Sequence, residues 1–191
     1  FFLAVAGILD SVASRGLGDV YKRQVQVSTS DTDNNHFSIT FSSGYGSGVV
    51  CKNTGMYFNN SLGEMELNPQ GFLGETNGER LISNMSPLII KTTDGINTIG
   101  SPGADRISSS LALVINNFTQ NQDWKESINK PRYHVNMDGS IRAEPGVINI
   151  SDNLTVTEPN DMYFGGVCVT GIDAELFTYG DKRRGDATWK N

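Results

Sequence analysis

The residue types that build most metal and redox sites are almost missing from this 191-residue chain, which holds only two cysteines and two histidines. Cys51 and Cys168 are far apart and form no Cys-x-x-Cys pair, so no zinc or dithiol site can be assembled, and neither metal nor cofactor is expected. A Cys51–Cys168 disulfide would need an oxidising compartment; two buried free thiols are the expected state. Cations are scarce too, with 15 Lys and Arg against 21 Asp and Glu, a net charge of −6 and a pI near 4.8. Phosphate backbones and anionic lipids need clustered cations, and only Lys22-Arg23 and Lys182-Arg183-Arg184 qualify. Nucleic acid and membrane surfaces are therefore excluded as partners. No long apolar run exists: Phe1–Leu9 is too short to span a bilayer. It resembles the apolar core of a secretory signal, with Ser11-Val-Ala-Ser14 as a small-residue cleavage site, but it lacks the charged start.

What the chain does have is glycine, at 21 residues, together with abundant Asn, Ser and Thr and a hydrophobic fraction of 37%. That composition suits one domain of short strands joined by many turns, β-rich or mixed with helices. The segment Ser14-Arg-Gly-Leu-Gly-Asp-Val-Tyr-Lys-Arg-Gln24 stands apart, because its eleven residues match the in-frame translation of a DNA that resembles a transposase-type sequencing-library adapter. Residues 1–24 are accordingly expected to be a non-native leader, with 25–191 the domain proper and truncated at its start.

From Val25 the side chains alternate through Ser30, and again through 35–41, around the turn formers Asp31-Thr-Asp-Asn34, which predicts a β-hairpin. Gly44-Tyr-Gly-Ser-Gly48 is a turn-rich loop, and Gly55-Met-Tyr-Phe-Asn-Asn60 reads as a short strand entering an Asn-Asn turn. Residues 67–80 lack periodicity and read as a surface loop. Leu88–Thr92 and Ile96–Gly100 flank the Asp-Gly turn of a second hairpin. It delivers Gly100-Ser-Pro-Gly-Ala104 to a helix over 106–118, with Ile107, Leu111, Val114, Ile115 and Phe118 at helical spacing. A glycine turn that opens a helix presents unpaired N–H groups, which a developing oxyanion needs. Asp123-Trp-Lys-Glu126 caps a short helix ending before Pro131, and strands follow at Ile141–Glu144, Phe164–Thr170 and Ala174–Thr178. Asp181-Lys-Arg-Arg-Gly185 would otherwise pass as a solvated basic tail.

Taken together, Gly44–Gly48, Asn59-Asn60, Ser83-Asn-Met-Ser-Pro87, Gly100–Arg106, Pro131-Arg-Tyr-His134 and Asp181–Gly185 resemble the small subunit of the gamma-glutamyltransferase family in order and spacing. These are N-terminal-nucleophile hydrolases that cut the γ-glutamyl amide of glutathione. The resemblance implies an α+β fold, the αββα sandwich of that class with only the small-subunit half present, and no cofactor. It also implies a secreted or periplasmic parent, a γ-glutamyl or related amide substrate, and a large subunit of the same precursor as partner. In the family the nucleophilic Thr stands seven residues before the hairpin Asp, and here that count from Asp31 reaches Gln24. Such a Thr cleaves the bond before it, and its freed amine then serves as base for its own hydroxyl. Gln24 has no hydroxyl, so the chain as written is expected to be inactive.

By the same resemblance Gly103 and Ala104 form the oxyanion hole and Ser42 belongs to the catalytic hairpin. Ser61 and Glu64 take the substrate ammonium, while Ser83 and Asn84 take its carboxylate. An Asn usual near position 44 has no counterpart, and His134 is expected to be structural. An acylase on another amide is the near alternative, and a non-catalytic β-rich surface binding module is the rival from another class.

Overall fold

Alternating polar and apolar side chains early in the chain produce the expected hairpin in a computed structural model, which describes residues 3–6, 24–64, 68, 78, 80–147, 153–185 and 188–190. Three antiparallel strands, β1 (Leu3–Ala6), β2 (Gln24–Ser30) and β3 (His36–Ser42), form the first sheet. Gln24, set aside with the leader by sequence, begins β2 opposite Ser42, and Leu3–Ala6 pairs along β2 from Ser30 to Val27. The hairpin turn closes on Asp31, whose carboxylate accepts the N–H of Asp33 and Asn35 at 3.0 and 2.9 Å and the Asn35 side-chain amide. Asn34 holds φ at 66°, a conformation Asn tolerates better than most residues.

The second sheet has β4 (Leu88–Lys91) and β5 (Ile96–Gly100) as the expected Asp-Gly hairpin. α1 (Ile107–Asn121) and α2 (Trp124–Asn129) follow, the latter capped by Asp123, which accepts the Glu126 N–H at 2.8 Å. Strands β6 (Tyr133–Val135), β7 (Ile141–Ala143) and β8 (Leu154–Val156) make a small third sheet. Then β9 (Cys168–Ile172), β10 (Leu176–Tyr179) and β11 (Thr188–Lys190) return to the second, giving the order β11-β10-β9-β5-β4, all antiparallel.

The five-stranded sheet is covered on both faces. Ile99, Val167, Val169 and Phe177 meet Ile107, Leu111, Val114, Phe118, Trp124 and Ile128 of the helices in one apolar core. Phe118 and Trp124 stack there with ring centroids 3.7 Å apart. On the opposite face lies the β2–β3 hairpin, joined by polar contacts such as the Ser38 hydroxyl donating to the Ile99 carbonyl at 3.1 Å. The arrangement is α+β as expected, with two stacked sheets and the helices packed on the outer face of the larger one. The outer face of the hairpin sheet carries Phe37 and Phe41, both more than half exposed.

Several boundaries differ from the sequence reading. Gly55–Asn60 is not a strand: it is an irregular loop holding one isolated bridge, Val50 to Tyr57, because no neighbouring strand extends the pair. Phe164 ends a 3-10 turn and residues 165–167 are irregular instead of opening β9, since Gly165 at φ 75° breaks the extended run. β6, β8 and β11 are short strands with no clear periodicity in the sequence. Most of the loop over 67–80 lies outside the described residues. Both cysteines are free, but only Cys168 is buried; Cys51 is half-exposed, in a loop that contributes little cover.

The basic segment near the C-terminus is no solvated tail. Arg183 is buried between Glu144 and Asp181, and Asp181 also pairs with Arg132 at 2.7 Å. The same Asp181 carboxylate accepts the Val167 N–H at 2.9 Å. Burial is possible because each of these charges faces an opposite one and several backbone groups.

Candidate active site

β2 buries its polar side. Gln24, Gln26, Ser28 and Ser30 point into the sheet-to-sheet interface, whereas Val25, Val27 and Thr29 are only partly covered. Polar groups can be buried there because they find partners. The Gln26 amide nitrogen donates to the Val27 carbonyl, Ser28 and Ser38 at 3.0, 3.1 and 2.9 Å, and its oxygen accepts from Thr40. Gly100 permits this approach, since a Cβ there would lie 2.1 Å from the Gln26 amide carbon.

Gln24 stands at the open end of this seam. Across from it, β5 runs into Ser101-Pro-Gly-Ala104 and a 3-10 turn, Ala104–Arg106, that enters α1. Gly103 takes φ 154° and Ala104 φ 52°, so two successive N–H groups converge instead of joining the helix ladder. Both donate to one atom, Gln24 Oε1, at 2.9 Å from Gly103 and 2.7 Å from Ala104. The turn is packed tightly, for a Cβ on Gly103 would sit 3.1 Å from the Gly165 Cα and one on Gly165 2.6 Å from the Pro102 carbonyl oxygen.

The other residues singled out by sequence gather around the same point. Gln24, Ser42, Ser61, Glu64, Ser83 and Asn84 line one cleft of about 150 Å³, completed by the apolar side chains of Leu81, Ile82 and Met85. Ser42 accepts the Gly44 N–H at 3.0 Å, which leaves its own proton available to the cleft. Glu64 is buried at the end of the turn Ser61–Gly63. Asn84 is placed differently from a simple carboxylate donor, because its amide nitrogen donates to the Ala104 carbonyl at 2.5 Å and so ties this segment to the Gly103–Ala104 turn. Ser83 accepts the Met85 N–H at 3.2 Å at an exposed position.

Two participants were not assigned from sequence. Asn60 leans over Gly44, where a Cβ would be 2.5 Å from Asn60 Oδ1 and 2.9 Å from Glu64 Oε1. Its side chain thus fills the space that a side chain at 44 would take; the Asn-Asn pair was the only signal. Gly165 is the second, and only the Gly165-Gly166 doublet hinted at a close approach.

His134 stays outside the cleft. It contacts the Ser109 hydroxyl through Nδ1 at 2.8 Å and lies 3.7 Å from Asp105, with burial and then the nearby Arg106 lowering its pKa. Cys168 faces Ser28 within the seam, where burial pushes its thiol up to about 11. No helix among the described residues is long and apolar enough to cross a membrane.

Comparison with known proteins bears on this geometry. The sequence model of the gamma-glutamyltranspeptidase family matches residues 20–184. The glutathione hydrolase proenzyme of Bacillus subtilis strain 168 is 30% identical over 152 residues, 75% of this chain and 26% of that protein, so the chain spans about a quarter of its relative's length. Among solved structures, the Bacillus anthracis transpeptidase enzyme CapD is 25% identical, with a TM-score of 0.65 over 87% of this chain and 98% of that chain. Cephalosporin acylase from Bacillus halodurans shares the fold at 20% identity, with a TM-score of 0.68 over 87% of this chain and 34% of that chain.

Proposed function

The chain belongs to the gamma-glutamyltranspeptidase family, and on that premise we propose that it is the nucleophile-bearing part of an amidase whose reaction centres on position 24. In the parent, a Thr or Ser at that position attacks the carbonyl carbon of a γ-glutamyl or related amide, its own α-amine taking the proton. The carbonyl oxygen becomes an oxyanion held by the N–H groups of Gly103 and Ala104. The C–N bond then breaks, the amine leaves with the proton, and water or another amine releases the acyl group from the ester. A single observation carries this reading: two backbone donors at 103 and 104 meet on one oxygen borne by residue 24, about eighty positions earlier in the chain.

Ser42 belongs with this machinery as a hydroxyl opposite position 24. Glu64, with Ser61 beside it, supplies the anionic partner that a substrate ammonium needs, and Ser83 and Asn84 supply donors for its carboxylate. Gln24 offers no hydroxyl, so this chain does not form the ester. The exposed apolar face with Phe37 and Phe41 suits cover by the large subunit of the same precursor. A secreted or periplasmic setting belongs to the same reading.

An acylase acting on a less polar amide is favoured by one feature, the three apolar side chains Leu81, Ile82 and Met85 in the cleft wall. Release of amine by the product of the full gene from glutathione, a glutaryl amide and an acyl-homoserine-type amide separates the two. Preference for glutathione supports the γ-glutamyl reading, and turnover of the acyl amide alone supports the acylase. Turnover of none favours a non-catalytic binding module.

A further inference from the structure

We infer that Gln24 is a carbon isostere of the acylated nucleophile, so that the chain carries in its own side chain the carboxamide its Gly103–Ala104 turn receives. The inference rests on the proposed role of position 24. In an ester of Ser or Thr, the atoms beyond Cβ are the hydroxyl oxygen, the acyl carbon, and on that carbon the carbonyl oxygen and the acyl chain. In Gln24 they are Cγ, Cδ, Oε1 and Nε2. Cγ stands for the hydroxyl oxygen, Cδ for the acyl carbon, Oε1 for the carbonyl oxygen and Nε2 for the first atom of the acyl chain.

The hydrogen bonds follow that correspondence. Oε1 receives both turn N–H groups, while Nε2 has no partner among the described residues. Gln26, two residues along on the same buried face, behaves as a structural glutamine instead: both ends of its amide are bonded. Among the described residues only the carbonyl end of Gln24 is used, as for an amide or ester held by its oxygen. Gln24 is 8% exposed, and it lines the cleft with Ser61, Glu64 and Ser83. Nε2 therefore marks where an acyl chain leaves the reacting carbon. While Oε1 is seated, the turn is closed to any external carboxamide.

Amide exchange and ¹⁵N shifts of Gly103 and Ala104 test this, read in the full chain and in the Gln24→Asn, Gln24→Leu and Gln24→Gly variants. Asn keeps the carboxamide but is one methylene too short, and Leu keeps the bulk without an acceptor. Exchange at the two amides should quicken about tenfold in both, with α1 amides unchanged as the control for folding. Acetamide, as a free carboxamide, should return both signals towards their wild-type positions in Gln24→Gly and leave the wild type unmoved. Undiminished protection in Gln24→Asn and Gln24→Leu overturns the inference, as does an equal response of wild type and Gln24→Gly to acetamide, or none in either. The readout needs no turnover. Loss of the exchange effect with an active hydroxyl variant would sink the isostere alone, whereas the effect without activity would sink only the proposed function.

Discussion

The two faces of the five-stranded sheet are built by different chemistry. Towards α1 and α2 the sheet presents Ile99, Val169 and Phe177, with Val167 just before β9, and they pack with the helices' apolar side chains in one buried cluster. Towards the hairpin it meets Gln24, Gln26 and Ser28 of β2, with Gly100 and Cys168 on its own side, and cohesion comes from directed hydrogen bonds. The difference shows where stability and function are kept apart. An apolar layer is insensitive to orientation but contributes the larger driving force. A polar seam contributes less and fixes atoms in register, which is what a site assembled from distant segments requires.

If that division holds, the largest loss should come from the helix side. Ile107→Ala, at a fully buried position, is expected to cost about 2–5 kcal/mol in denaturant unfolding, with the signals of Gly103 and Ala104 little changed below the transition. Gln26→Leu keeps bulk but strands Thr40, Ser28 and Ser38; it should cost about 1–3 kcal/mol and loosen the adjoining Gln24 contact. A Gln26→Leu protein with an unaltered Gly103 amide would erase the distinction between the two faces. Smaller still is Ala104→Gly. It relieves a left-handed alanine at φ 52° but adds freedom to the unfolded chain, for a net gain of about 0.5 kcal/mol by the same assay.

Of the chain's two histidines, His36 lies on the hairpin and His134 in β6 against Ser109 of α1, and burial lowers the pKa of both. The native state then binds fewer protons than the unfolded one. Their stabilisation is complete above the ordinary histidine range and is lost as pH falls through the lowered native values. Melting as a function of pH should show that slope, and His36→Gln and His134→Gln should each remove their own share; a flat profile would count against burial of either ring.

Much of this was legible in the sequence because the signals were local. The Asp-Gly turn fixed the β4–β5 hairpin, and Asp123 with Glu126 marked the start of α2. The family resemblance of the motif blocks reached further, since Ser42, Ser61, Glu64, Ser83 and Asn84 do share one cleft with Gln24. What escaped depends on tertiary partners. Alternation in β2 identified a strand but not that its polar side faces inward, a choice made by Gly100 and the hydroxyls opposite. Asp181–Gly185 stood out only as a motif block, and nothing local showed that Arg183 is buried, because Glu144 and Asp181 reach it only in the fold. Asn60 over Gly44 was hidden for the same reason, two loops meeting with no periodicity to announce it.

The central claim, that position 24 is a nucleophile's place, is tested most directly by reading the source DNA across that codon and expressing the gene product. A Thr or Ser there is predicted, together with cleavage of the peptide bond before it and release of amine from a γ-glutamyl amide. A hydroxyl residue that neither cleaves the chain nor turns over any amide in a folded product would contradict the account, as would a residue other than Thr or Ser.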